Sequence, residues 1–110
     1  MRCLVTGGAG FIGSNLALAL QKNGHDVVVL DSMDTGSRNN LAGFEGEVIE
    51  ADIRKFDWAK AKADIIFHQA AITGVVNPKD DSAISDDLIM EVNLAASKKI
   101  FEYCAKRSIP

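Results

Sequence analysis

Four glycines carry the first chemical signal. They lie in the run Thr6-Gly7-Gly8-Ala9-Gly10-Phe11-Ile12-Gly13, which follows the apolar Cys3-Leu4-Val5 and opens an apolar-periodic segment from Ser14 to Gln21. Two registers fit: Gly8, Gly10 and Gly13 match G-x-G-x-x-G, while Gly7, Gly10 and Gly13 match G-x-x-G-x-x-G. Between a strand and a helix, such glycines have distinct tasks. One makes the tight turn, one lets backbone approach a pyrophosphate, and one lets the helix pack on the strand. Backbone N–H groups at the helix N-terminus then point at the phosphates, where the macrodipole favours negative charge. Glycine-rich turns also serve simple close packing, so it is the strand–turn–helix order that gives this run its meaning.

Asp31 is the second signal. It closes the apolar run Val27-Val28-Val29-Leu30, at about the 20-residue spacing past the glycines expected of an acid that accepts hydrogen bonds from an adenosine ribose. An acidic turn residue after a strand is the plainer role. A 2′-phosphate about 4 Å from this carboxylate would be repelled by ~4 kcal/mol per charge pair at an effective dielectric of about 20. NAD is therefore favoured over NADP. Arg38 is the opposing feature, since an arginine after this strand can reach a 2′-phosphate. Asp52 and Ile53 follow a third strand; the acid suits an adenine amino group and the isoleucine its ring, and a helix N-cap is the rival role for Asp52. His68 precedes Gln69-Ala70-Ala71, small residues after a buried strand that let a ligand approach the backbone. No acid or hydroxyl stands at a spacing that makes His68 a catalytic base, and it reads as a satisfied structural histidine. Asn93 falls within the apolar arc of the last helix, so its amide needs partners from a ligand or a neighbouring loop.

These residues must be positioned by alternating elements. Arg2 to Thr6 reads as a buried strand, Phe11 to Lys22 as a helix stopped at Gly24, and Val27 to Leu30 as a second strand. Ser32 to Gly46 is polar and turn-rich with one short helical turn. Glu47 to Ala51 gives a third strand, Lys55 to Lys62 a short amphipathic segment whose Trp58 serves packing, and Ala63 to Phe67 a fourth strand. Ile72 to Ser82 is a loop. Asp86 to Arg107 is one long helix with Leu88/Ile89, Val92, Ala96, Ile100 and Tyr103/Cys104 on its core stripe. Met90, Leu94, Ser97 and Phe101 form a second stripe, which suits either the rest of a sheet or a homodimer interface. The fold class is α/β: a Rossmann-like doubly wound parallel sheet of about four strands, order 3-2-1-4, with helices on both faces.

Composition bounds the function. The chain has 110 residues, is 47% hydrophobic and 25% charged, and carries a net charge of −3 with a pI near 5.2. These are ordinary values for one soluble domain, and they argue against nucleic acid as the main partner. Cys3 and Cys104 are far apart, without metal-ligand spacing or a C-x-x-C pair, and read as small apolar side chains in a reducing compartment. No segment approaches the ~20 apolar residues of a membrane span. The expectation is a cytoplasmic protein with no metal site and no membrane partner.

Taken together, the glycine run, Asp31 with Gly36-Ser37-Arg38-Asn39-Asn40-Leu41, Asp52-Ile53 and His68-Gln69-Ala70-Ala71 resemble the extended short-chain dehydrogenase/reductases, specifically the NAD-dependent sugar-nucleotide epimerases and dehydratases. The resemblance spans almost the whole chain. It implies that Gly7, Gly10, Phe11, Ile12 and Gly13 line the pyrophosphate, and that Asp31 and Ser32 hold the adenosine ribose. Asp52 and Ile53 would frame adenine. Gln69, Ala70, Ala71 and Thr73 would border the nicotinamide-side ribose, with Asn93 bracing that region. It further implies hydride abstraction from a nucleotide sugar and its later return, with a Tyr-x-x-x-Lys pair and a Ser/Thr moving protons.

Here the chain departs from the pattern. Tyr103 is its single tyrosine and position 107 is Arg, not Lys. Tyr103 also lies on the core stripe of a helix that precedes the family's catalytic region. The resemblance thus implies the N-terminal portion of a NAD-binding domain, residues 1–110, without the fifth strand, the substrate domain or any catalytic residue. A stand-alone NAD-binding or sensing module and an inactive truncated product are the other readings.

Overall fold

Four parallel strands form one sheet in the order β3-β2-β1-β4, in a computed structural model that describes residues 1–74, 76–77 and 79–110. They are β1 (Arg2–Thr6), β2 (Asp26–Asp31), β3 (Glu47–Glu50) and β4 (Ile65–His68). Helix α1 (Phe11–Lys22) joins β1 to β2. Two short 3-10 turns, Arg38–Leu41 and Trp58–Lys60, flank β3. A final helical rod consists of α2 (Asp86–Met90), a π-helical segment (Glu91–Ala95) and α3 (Ala96–Arg107).

The central strands are apolar on both faces, as a sheet covered on both sides requires. Leu4, Val28, Leu30, Ile53, Trp58, Ala96 and Ile100 make one buried cluster beneath α3. Val5, Val27, Val29, Ala17 and Leu41 make the other, with Leu16 and Leu20 of α1 packed against it. Alternate strand residues thus divide between the two faces. Helices cover both, and the expected doubly wound architecture and strand order are present.

Register places β1 at the centre, with Thr6 opposite Leu30 on one side and His68 on the other. All four carboxyl ends therefore open on one side of the sheet. At the opposite ends the Arg2 guanidinium pairs with Asp26 at 2.8 Å and Glu47 at 3.2 Å, while Asp64 accepts the Arg2 backbone N–H at 2.7 Å. Hydrogen bonding to Asp26 raises the pKa of Arg2, so one cation ties three strand starts.

Beyond one-residue shifts at the ends of β2, β3 and β4, two differences from expectation stand out. The fourth strand runs from Ile65 to His68, two residues later at its start, because Asp64 is taken by its bonds to Arg2. The long helix is interrupted at Glu91–Ala95 by a wider π turn, which an apolar periodicity cannot register, since Ala96 and Ile100 remain buried on either reading. The loop between β4 and α2 holds one antiparallel bridge, Val76 to Ala83.

Helix phase gives a stability test. Ile100 is 1% exposed, so Ile100→Ala should cost about 2–5 kcal/mol through lost transfer energy and the residual cavity. Lys99→Ala, on the exposed face, should stay within about 0.5 kcal/mol. Urea unfolding should report a lower midpoint at unchanged m for the first variant only; equal losses for both would contradict the phase.

Candidate functional site

The site is built where β1 ends. Gly7 continues the sheet ladder, its N–H donating to the Leu30 carbonyl at 2.8 Å, and then turns with φ of +67°. A Cβ at Gly7 would lie 2.8 Å from the Ala70 backbone nitrogen, so glycine is required both for conformation and for close approach. At Gly13 a Cβ would fall on the Gly7 carbonyl oxygen, so this glycine lets α1 sit against the turn. At Gly10 the fit is looser: a Cβ there would meet that same carbonyl at 3.3 Å among the described residues. Gly10 also stands at the N-cap of α1, and no side chain caps the helix. The first-turn N–H groups of such a helix have no intrahelical acceptor. Phe11 and Ile12 are 82% and 68% exposed beside them.

Asp31 joins this turn from β2. One carboxylate oxygen accepts the Ala9 N–H at 2.9 Å and the other accepts the Met33 N–H at 2.8 Å, with Asp31 only 8% exposed. The acid thus shapes the turn. Ser32 is exposed, and its hydroxyl accepts from the Asp34 N–H at 3.4 Å. The Ala9 carbonyl is held from a third side by the Ser37 N–H at 3.0 Å and the Asn40 side-chain amide at 2.9 Å. Arg38 is paired at the surface with Glu50 at 3.1 Å.

At the end of β3, Asp52 is engaged within the protein. It accepts the Arg54 N–H at 2.8 Å in a turn and the guanidinium Nε at 2.9 Å, while Arg54 reaches Glu91 of the π segment at 3.0 Å. Hydrogen bonding from the Arg54 side chain lowers the Asp52 pKa, against the opposing effect of burial. The expected helix N-cap role is corrected: residues 53–55 form a turn, and the next helical turn, Trp58–Lys60, is capped by Asp57. Ile53 is 6% exposed within the core, so it offers this edge of the sheet only a narrow rim.

Beyond β4, Gln69, Ala71 and Thr73 are exposed and Ala70 abuts the glycine turn. Asn93 reaches this segment from the π turn. Its Oδ1 accepts the Ile72 N–H at 2.7 Å and its Nδ2 donates to the Ile72 carbonyl at 2.8 Å. The amide is half-buried, with its oxygen and its nitrogen each bonded to a loop. His68, expected to be a satisfied structural histidine, bonds Thr6 through Nδ1 and Ser97 through Nε2, both at 2.7 Å. Burial pushes its pKa down.

The structure therefore gathers Gly7, Gly10, Phe11, Ile12, Gly13, Asp31, Gln69, Ala70, Ala71, Thr73 and Asn93 around the carboxyl ends of β1, β2 and β4. Strand order reverses between β1 and β4, and crevices at such a reversal are where open α/β sheets bind ligands. Asp52 and Ile53 stand one strand away, at the end of β3. Four residues that the motifs do not single out complete the frame: Thr6, Asn40, Arg54 and Ser97. Thr6 carried a usable signal, a polar residue ending an otherwise apolar strand; it is fully buried. Among the described residues no cluster of His, Cys, Asp and Glu could hold a metal ion, and no helix is long and apolar enough to cross a membrane.

The Asp52–Arg54 pair has a definite pH signature. A folded-state carboxyl held below its ordinary value contributes stability that is present above about pH 4 and lost as pH falls through the lowered value. Both side chains are partly solvated, at 26% and 32% exposure, which limits the effect to about 1 kcal/mol. Arg54→Ala should therefore lower unfolding free energy at neutral pH, with the difference from the unmodified chain closing in acid. A pH-independent difference in chemical denaturation would contradict this assignment.

Known proteins share this geometry. The model of the NAD dependent epimerase/dehydratase family matches residues 3–110. The UDP-glucose 4-epimerase of Mycolicibacterium smegmatis is 44% identical over 89 residues, 74% of this chain and 28% of that protein. The ADP-L-glycero-D-manno-heptose-6-epimerase of Helicobacter pylori superposes with a TM-score of 0.83 at 37% identity, covering 98% of this chain and 36% of that one. A UDP-glucose 4-epimerase of Thermus thermophilus, solved in complex with NAD, superposes with a TM-score of 0.78 at 34% identity, covering 99% and 35%. The chain thus spans about a third, or less, of these relatives. With the family model matched over nearly its whole length, the chain belongs to the NAD-dependent epimerase/dehydratase family, whose cofactor is NAD.

Proposed function

We propose that these 110 residues are the cofactor-holding, N-terminal portion of a nucleotide-sugar epimerase or dehydratase. The supporting observation is the glycine turn itself: an uncapped helix N-terminus, close backbone approaches at Gly7 and Gly13, and a carboxylate tied to the same turn. When bound, NAD accepts a hydride from a sugar carbon and later returns it. This chain's part is binding and orientation. The N–H groups of Phe11, Ile12 and Gly13 would face the pyrophosphate, where the helix dipole favours negative charge. Asp31 and Ser32 would take the adenosine ribose, and the Asp52–Ile53 turn would meet adenine through backbone and rim. Gln69, Ala70, Ala71 and Thr73, braced by Asn93, would border the nicotinamide ribose.

Proton transfer would fall to a Tyr-x-x-x-Lys pair and a Ser/Thr outside these residues. Tyr103 is a poor substitute, since it packs at 6.1 Å from Trp58 and carries Arg107 over its ring at 5.3 Å. A nucleotide sugar as substrate of the complete enzyme, and a cytoplasmic setting, belong to the same reading. So does a homodimer through the 86–107 helix, on which Met90, Leu94 and Phe101 are 54%, 57% and 63% exposed.

Two measurements test this. At a hundredfold excess over its dissociation constant, NAD should add about 2.7 kcal/mol, a melting rise on the order of 10 °C for a chain of this size. Gly10→Ala should lower the ligand-free melting point only slightly, because its φ of −77° suits alanine and the methyl presses on the Gly7 carbonyl at 3.3 Å, yet abolish the rise, because the methyl would intrude on phosphate space. No rise with NAD in the unmodified chain would refute cofactor binding. For assembly, light scattering should give twice the chain mass, reverting to one chain mass in Leu94→Lys; a monomer at high concentration would refute the dimer.

A further inference from the structure

We propose that His68 is a positioning residue for the cofactor's nicotinamide end: a neutral imidazole protonated on Nε2 alone, which orients a one-way hydrogen-bond relay from Thr6 through Ser97 to Asn93. The proposal rests on the reading of residues 69–73 as the border of the nicotinamide ribose. Both ends of the relay dictate the same tautomer.

Consider Thr6 first. Its Oγ1 accepts the Gln69 N–H at 3.1 Å, which is shared with the Thr6 carbonyl, and the Ala70 N–H at 3.2 Å. A hydroxyl has two acceptor lone pairs and one hydrogen. With both lone pairs taken, the hydrogen is what remains for His68, so Thr6 donates to Nδ1 at 2.7 Å and Nδ1 carries no proton. From the other end, the Ser97 hydroxyl spends its hydrogen on the Asn93 carbonyl at 2.9 Å. It can only accept from His68, so Nε2 carries the proton across its 2.7 Å bond. A neutral ring satisfies every group.

Function follows from what the relay holds. Thr6 Oγ1 grips the backbone N–H groups of Gln69 and Ala70, and Asn93 grips both backbone groups of Ile72. The imidazole bridges these two anchors across β1, β4 and α3. A second proton, on Nδ1, would meet the Thr6 oxygen, whose lone pairs are already engaged, and would have to displace Gln69 or Ala70. Nothing stabilises that cation. Thr6 comes from β1, Ser97 and Phe101 from α3, the latter edge-on with ring centroids 6.4 Å apart. The other titratable side chain lining the groove beside the ring is Cys104, a thiol kept protonated by burial. Burial is likewise what disfavours charge on His68.

The test has two independent arms on the 110-residue chain. The first is nitrogen-15 NMR of the His68 ring without ligand at about pH 6, below the ordinary histidine value of about 6.5. The expected spectrum shows an unprotonated Nδ1 and a protonated Nε2; an imidazolium or the opposite tautomer overturns the relay. The second compares NAD with ADP, which lacks the nicotinamide riboside. His68→Phe should weaken NAD about tenfold, a single lost positioning contact, and leave ADP within about twofold. His68→Asn, whose amide oxygen can replace Nδ1 as acceptor, should recover most of the loss. Retained ADP binding shows that the variants fold. Equal NAD affinity in all three proteins, or equal losses for NAD and ADP, overturns the positioning role, while an unmodified chain that binds neither NAD nor ADP instead refutes the cofactor reading and leaves the tautomer to the first arm.

Discussion

The site depends on a packing constraint at Gly7. Here the chain leaves the central strand between two neighbours, donating to the Leu30 carbonyl on one side and touching the Ala70 backbone on the other. A side chain would push one of them away. Because there is none, the turn, the end of β2 and the continuation of β4 close on one another. Asp31 can then reach Ala9, and Thr6 can reach Gln69 and Ala70. The parallel sheet supplies the rest, since its register puts Thr6, Leu30 and His68 side by side.

That constraint explains which features were legible in the sequence. Parallel strands buried on both faces leave continuous apolar runs, such as Val27-Val28-Val29-Leu30, and these placed β1, β2 and β3 to within a residue or two. Glycines at a turn leave a spacing, and the spacing located the cradle. Side-chain partnerships leave no such trace. Arg54 sits two residues after Asp52 and meets Glu91 thirty-seven residues later; nothing in local pattern couples them. The interior of Ile53 was equally hidden, because an apolar residue after an acid suits a ring or a core. Only the closing of Trp58, Ala61 and Ala96 around it shows how deeply it is buried.

The π turn at Glu91–Ala95 belongs to the same class of hidden feature. One residue more per hydrogen-bonded turn interrupts the ladder and leaves backbone carbonyls to find other donors, and such turns recur at functional positions. Here the Asn93 carbonyl takes the Ser97 hydroxyl, while the Asn93 side chain turns to Ile72. A periodic stripe is blind to this because core contacts at Ala96 and Ile100 persist through it.

Finally, the α1 N-terminus shows how stability and function divide. An N-cap side chain commonly contributes about 0.5–2 kcal/mol, and Ser85 provides one for α2 through its bond to the Leu88 N–H. At Gly10 the fold forgoes it. A serine or aspartate there would satisfy orphan N–H groups internally, and an aspartate would set a carboxylate where the proposed pyrophosphate would sit. Leaving the cap to glycine keeps those donors and the positive end of the dipole available. The exposed faces of Phe11 and Ile12 fit the same division. On the proposed reading, what looks like an unfinished helix leaves donors for a pyrophosphate, and a bound ligand would supply the missing stabilisation.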